Sequence, residues 1–197
     1  MKKSHYLFII CWVGGITLIV GYIHSWHLVD LKPQSEITLS FNKMIPDVSD
    51  EFGVIHFLTP LCSCSEQIFK HLVERGPLKE EKEVVILVDD SQGVFQRPLE
   101  EKGYSTKLIS TDKLSEEFKS AIQGVPLLVI YEKNKKVRYA GGYYEKAITP
   151  FTKIDIKKFT DSLHEGREIA SLPIIGCAVS EEYKKILDPF GLKYQEI

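Results

Sequence analysis

The chain opens on an unbroken apolar run: from residue 6 to residue 23 no side chain carries a formal charge. At 1.5 Å per residue a helix of that length covers most of a hydrocarbon layer about 30 Å thick. Tyr22, His24, Trp26 and His27 follow where amphipathic rings favour the membrane interface. The pattern then changes character. Residues 52–58, Phe-Gly-Val-Ile-His-Phe-Leu, form a short and nearly continuous apolar stretch, as expected of a central strand covered on both faces. Pro60 ends it, because proline cannot donate to a sheet ladder. Ile68, Phe69, Leu72 and Val73 recur at helical spacing until Gly76-Pro77 stops them. Residues 83–89 read as a second buried strand, so the order is strand, helix, strand.

The alternation continues downstream. Residues 94–102 suggest a helix with Pro98 near its start, and residues 106–110 a short strand. Asp112 is placed to cap a helix in which Leu114, Phe118 and Ile122 lie four apart. Gly124-Val125-Pro126 leads into an apolar strand at 127–131, a basic turn at 133–136 returns as a strand at 137–140, and Gly141-Gly142 closes it. Helices are expected at 154–163 and 180–187. Residues 32–35 read as a short stalk, 37–41 alternate as an edge strand does, and 42–50 form a connecting loop. The reading is therefore an α/β protein: an N-terminus at 1–5, a transmembrane anchor at 6–28, a stalk and leading strand at 29–50, one domain at 51–165, and a C-terminal extension at 166–197 packed on it.

Charge and composition narrow the function. A net charge of -2, with no basic stripe interleaved with aromatics, argues against nucleic acid as a partner. Lys2 and Lys3 should stay in the cytoplasm, which places the domain on the extracytoplasmic (periplasmic) side of the plasma membrane. The segment from Gly21 to Trp26 offers no pair of small residues typical of signal cleavage, so an uncleaved anchor is favoured over a cleaved signal peptide. Lipidation at Cys11 is a further alternative, set against its bulky neighbours Ile10 and Trp12. In all three cases the domain leaves the cytoplasm.

Export bears directly on the cysteines. Beyond Cys11 the chain has Cys62, Cys64 and Cys177, in a compartment where disulfides form and persist. Three is an odd number, so they cannot all be paired within one chain. Cys62 and Cys64 stand one residue apart where strand gives way to helix, and the free N–H groups of a helix start lower the pKa of a thiol placed ahead of it. Position thus favours Cys62 as nucleophile with Cys64 as resolving partner, the reverse assignment remaining open. Cys177 reads either as a buried inert thiol or as a third exchange thiol folding back to the pair, with Gly176 allowing close approach.

With the thiols after an apolar strand and before a helix, Gly124-Val125-Pro126 before the next long strand, and the strand from Val137 ending in Gly141-Gly142, the chain from about residue 52 to 163 resembles a thioredoxin-fold domain. More narrowly it resembles the membrane-anchored, extracytoplasmic thioredoxin-like proteins. The resemblance implies a central mixed sheet flanked by helices, no cofactor beyond a redox-active disulfide, and an oxidoreductase exchanging disulfides with a protein thiol partner. It implies a cis peptide bond at Pro126, with Val125 offering its backbone to a bound substrate chain and Thr59-Pro60 beside it. His56, six residues before Cys62, stands where that family often has a buried acid, which suggests a proton relay; a core histidine bonded to backbone is the other reading. No resident metal is expected.

The sequence departs from the family at the thiols. Its usual pattern is C-x-x-C after a tryptophan, whereas here Leu61 precedes Cys62-Ser63-Cys64. Residues i and i+2 of a regular helix point to different sides, so a Cys62–Cys64 bridge requires a non-helical bend at Ser63. Two alternatives stay open. Thr59-Pro60-Leu61-Cys62 resembles the peroxiredoxin arrangement, although Ile55 stands where that family has proline; Arg138 is the candidate arginine. Two thiolates with a histidine such as His71 suit Cu(I) in a metal carrier. The direction of electron flow is not written in the sequence.

Overall fold

In the computed structural model the chain is described over residues 2–25, 28–29, 52–111, 122–132, 136–188 and 190–191. The strand expected at 37–41, the loop at 42–50, nearly all of the helix expected from Asp112, and the hairpin tip at 133–135 lie outside the described residues. The elements in chain order are α1 (Lys2–Ser25), β1 (Leu28–Val29), β2 (Gly53–Leu58), α2 (Ser63–Arg75), β3 (Lys82–Val88), α3 (Gln96–Glu101) and β4 (Ser105–Ile109). After these come β5 (Gly124–Val125), β6 (Leu127–Glu132), β7 (Lys136–Gly141), α4 (Ile156–His164), β8 (Ile174–Ile175), β9 (Cys177–Ala178) and α5 (Glu181–Leu187). In α1 the stretch His5–Ile23 has a mean hydropathy of 2.1. It is long and apolar enough to cross a membrane.

Five strands form a mixed sheet in the order β4-β3-β2-β6-β7. β2, β3 and β4 run parallel, joined through α2 and α3, while β6 and β7 are antiparallel additions on the other side of β2. β2 is central and all six of its residues are buried, which is why its sequence is apolar throughout rather than alternating. Its odd positions Ile55 and Phe57 pack with Ile86, Val88, Leu127 and Val129. Its even positions Val54 and Leu58 face Ile68 and Leu72 of α2, Leu99 of α3 and Leu163 of α4. Truncating a side chain such as Leu72 to Ala in that layer should cost about 2–5 kcal/mol.

The helices stop and start where local chemistry dictates. Gly76, at φ 74°, ends α2 and its N–H returns to Leu72 O. Asp90 gathers the backbone N–H groups of Val94, Phe95 and Gln96 at 2.7, 3.0 and 2.9 Å, satisfying donors that begin α3. Ser180 caps α5 through Tyr183 N.

The C-terminal segment was not legible as sheet, yet it pairs twice. β8 lies antiparallel to β1, and β9 antiparallel to β5 with Val125 opposite Cys177 and Gly124 opposite Ala178. Two glycines seat it. Gly142 N donates to Leu172 O at 2.9 Å, and a Cβ on Gly142 would stand 2.1 Å from Pro173 O. A Cβ on Gly176 would stand 1.9 Å from Val125 O and 2.7 Å from Pro126 Cδ. The extension therefore lies against the end of β7 and over the start of β6.

Candidate functional site

The site is built on the junction between β2 and α2. Thr59-Pro60-Leu61-Cys62 is a tight turn: Cys62 N donates to Thr59 O at 3.3 Å, and Leu61 N approaches Thr59 Oγ1 at 3.4 Å. The turn delivers Cys62 in extended backbone, φ -123° and ψ 119°, as the N-cap of α2. Glu66 N closes the first helical bond onto Cys62 O at 3.0 Å. Ser63 and Cys64 are thus the first two helical residues. Cys62 is buried at 1% exposure, whereas Cys64 is half-buried and Leu61 is 71% exposed.

The surroundings of Cys62 favour its anion. The Cys177 thiol donates toward the Cys62 sulfur, and so does that of Cys64; burial opposes ionisation, and the Ser65 and Cys64 amides add to the lowering. The two amides face the sulfur as dipoles without closing a full capping bond. In the other direction, the protonated Cys62 Sγ can donate to Val125 O at 3.8 Å. The net result is a thiol pKa well below its ordinary value. This lowering favours the thiolate, which is the nucleophilic form.

The second wall of the site comes from the other end of the chain. The Val125–Pro126 peptide bond is cis. Both residues sit beside Cys62, since Val125 O is the carbonyl that its sulfur meets. Cys177, 8% exposed, reaches the same place through its pairing with Val125. So Cys62, Cys64, Cys177, Val125 and Pro126 are brought together. The expectation that Val125 offers its backbone to an incoming substrate strand meets a different arrangement: that backbone is already paired with β9 of the same chain.

His56 is a correction. Both of its ring nitrogens are engaged elsewhere, Nδ1 with Tyr143 Oη at 2.7 Å and Nε2 with Glu83 Oε1 at 2.7 Å, and the side chain is fully buried. Neither nitrogen bonds a sulfur, so the relay from His56 to the thiols has no contact to run through. The backbone-bonded alternative is not seen either. Its partner Glu83 also accepts from Arg75 at 2.5 and 3.3 Å and from Leu78 N at 2.7 Å. Burial alone pushes the Glu83 carboxyl up, and the bonds and charges of His56 and Arg75 outweigh it, bringing the pKa to about 2. Burial and the Glu83 charge hold the Tyr143 phenol far above its usual value, so it stays protonated. Sequence reasoning missed this group; its one visible trace is an acid at the head of an otherwise apolar strand.

The residues of the alternative chemistries are not gathered here. Arg138 pairs with Glu132 at 2.6 Å, and Glu132 closes β6 five residues beyond Leu127, roughly 16 Å along the strand from the thiol end. His71 lies seven residues beyond Cys64 on α2, a rise of about 10 Å. Its pKa is lowered, first by burial and then by the Arg75 charge. Among the described residues no group of three or more His, Cys, Asp and Glu has the geometry to hold a metal ion.

No family model matches the chain, and no curated protein matches it. Its structure is similar to the crystal structure of a hypothetical protein from Sinorhizobium meliloti, at 15% identity and TM-score 0.50, covering 74% of this chain and 82% of that one. It is also similar to that of an uncharacterized conserved protein from Geobacillus kaustophilus, at 22% identity and TM-score 0.47, covering 67% and 78%. The likeness is one of fold: a mixed α/β sheet.

Proposed function

We propose that this protein is a thiol–disulfide oxidoreductase of thioredoxin-like fold, anchored by α1 with its domain outside the cytoplasm, exchanging disulfides with a protein partner through Cys62 and Cys64. One observation carries the reading. A cysteine at the open start of a helix, with donors converging on its sulfur and a cis-proline beside it, is a thiol held ready for nucleophilic attack. The half-buried Cys64 next to it gives exchange a second sulfur, and the exposed Leu61 gives a docking chain apolar surface at the point of entry.

The supporting context is coherent. Lys2 and Lys3, ahead of the apolar stretch His5–Ile23, favour a cytoplasmic N-terminus, and on the far side of the membrane disulfides are stable enough to be passed between proteins. A cavity of about 430 Å³ beside α4, lined by Tyr144, Lys153, Lys158 and Phe159 among others, includes none of the cysteines and takes no part in the reading. The test uses the reduced full chain in detergent with a disulfide-linked peptide that fluoresces on cleavage. Rapid cleavage that falls to background in the double variant Cys62→Ser/Cys64→Ser is expected. A wild-type rate in that double variant, or thiols consumed by hydrogen peroxide and not by the peptide, overturns it.

A further inference from the structure

Cys62 is the nucleophile candidate, yet it is the least accessible of the three thiols in the domain, at 1% exposure. Beside it lies the chain's own C-terminal segment. β9 pairs antiparallel with β5, Cys177 faces Val125 in that register, and Val125 O is 3.8 Å from the Cys62 sulfur. Gly176 passes so close to Val125 and Pro126 that any side chain there would collide with backbone. This is a built approach. A strand of the protein occupies the edge beside the cis-proline and sets a cysteine against the buried sulfur.

We infer that Cys177 is the resolving thiol of Cys62, so that the redox couple of this domain is a Cys62–Cys177 disulfide and Cys64 is the thiol that meets clients. The inference rests on the thiol-exchange reading above and assigns its partners. Both Cys64 and Cys177 approach the Cys62 sulfur, and Cys64 is the more exposed of the two. A Cys62–Cys64 bridge closes a ring with only Ser63 between its cysteines and opens the first turn of α2, so it serves as a short-lived intermediate and not as the resting disulfide. Cys177 arrives from another element and leaves that turn intact.

In the reducing direction the steps balance as follows. Cys64, as thiolate, attacks a client disulfide, forming a mixed disulfide and releasing one client thiolate. The Cys62 thiolate attacks the Cys64 sulfur and releases the second. Cys177 gives up its proton and attacks Cys62; the Cys62–Cys177 bond forms, the Cys62–Cys64 bond breaks, and Cys64 leaves as a thiolate. In sum the client disulfide takes two electrons from the Cys62 and Cys177 sulfurs and becomes two thiols, one proton coming from the Cys177 thiol and the other from water, because Cys62 enters as the thiolate. A dithiol protein resets the bridge; a client dithiol doing so is the same sequence run as oxidation.

Disulfide mapping decides it. Trypsin leaves Cys62 and Cys64 on one peptide, residues 44–70, and Cys177 on another, residues 168–184. The reduced full chain in detergent is treated with oxidised glutathione, unreacted thiols are alkylated, and peptides are separated without reduction. The expected result is that the two peptides run as one joined species, in the wild type and equally in Cys64→Ser, with Cys64 alkylated in the wild type. A bridge within 44–70 with Cys177 alkylated overturns the inference and leaves the exchange function standing. Glutathione adducts with no internal bridge overturn both.

Discussion

Glu83→Gln probes the buried group at the opposite end of β2 and α2 from the thiols, because every oxygen of that carboxylate is already committed. Oε1 accepts from His56 Nε2 and Arg75, and Oε2 from Arg75 and Leu78 N. An amide turns one of those oxygens into a donor, which then faces the Leu78 N–H or the guanidinium, donors themselves. With its side chain 1% exposed and its pKa lowered from 4.5 to about 2, the ionised form contributes about 3 kcal/mol, taking roughly 1.4 kcal/mol per pKa unit. For a domain of this size that corresponds to a fall of about 6–12 °C in Tm. The folded pKa lies below the unfolded one, so this stabilisation is complete above about pH 4.5 and is lost as the pH falls toward 2. The gap between wild type and variant should therefore be widest at neutral pH and narrow steadily in acid. Both tryptophans, Trp12 and Trp26, precede the domain, so urea unfolding is followed by the near-ultraviolet dichroism of the tyrosines. No gap at neutral pH, or a gap unchanged down to about pH 3, would refute the reasoning.

Two further outcomes are expected. Gly176→Ala forces a Cβ to within 1.9 Å of Val125 O, so β9 must withdraw, at a cost of about 1–3 kcal/mol; Cys62 should then be alkylated faster than in wild type, and an unchanged rate at unchanged stability would mean that β9 is not its cover. The full chain should stay with membranes through an alkaline carbonate wash and expose Cys64 to a membrane-impermeant maleimide from the outer side; release by carbonate, or labelling only after permeabilisation, would remove the anchored topology.

The main sheet was legible because its signals are local and repeated. A run covered on both faces is apolar throughout, as in β2 and β6, and a helix with one buried side repeats every three to four residues, as Ile68 and Leu72 do. The thiols were legible because they interrupt such a boundary. Two features were not. β8 and β9 are two residues each, too short for any period to register, and their partners lie far away in the chain. The Glu83 group depends on register: β2 and β3 pair Val54 with Glu83 and His56 with Val85, which sets the acid diagonally across from the histidine. Nothing in either strand alone announces that offset. His56 was read from its spacing to Cys62 when its chemistry comes from its neighbour across the sheet.

The shortened spacing of the cysteines and the third thiol have a common physical logic. At the start of α2 the extended backbone of Cys62 gives way at once to helix, and the Glu66 N to Cys62 O bond holds that transition in place. With only Ser63 between them, Cys62 and Cys64 can approach as donor and acceptor, but joining them permanently works against the turn that favours the Cys62 anion. A third sulfur removes the conflict only if it arrives without disturbing the helix and without leaving a gap that water fills. Strand pairing meets both conditions, since β9 is held to β5 by backbone bonds and Gly176 lets it lie flat against Val125 and Pro126. Burial of Cys62 by itself opposes ionisation, and the donors of Cys177 and Cys64 outweigh it, while contact with other proteins falls to Cys64. On this logic, removing Cys177 changes which bridge forms, whereas removing Cys62 leaves the mixed disulfide on Cys64 unresolved.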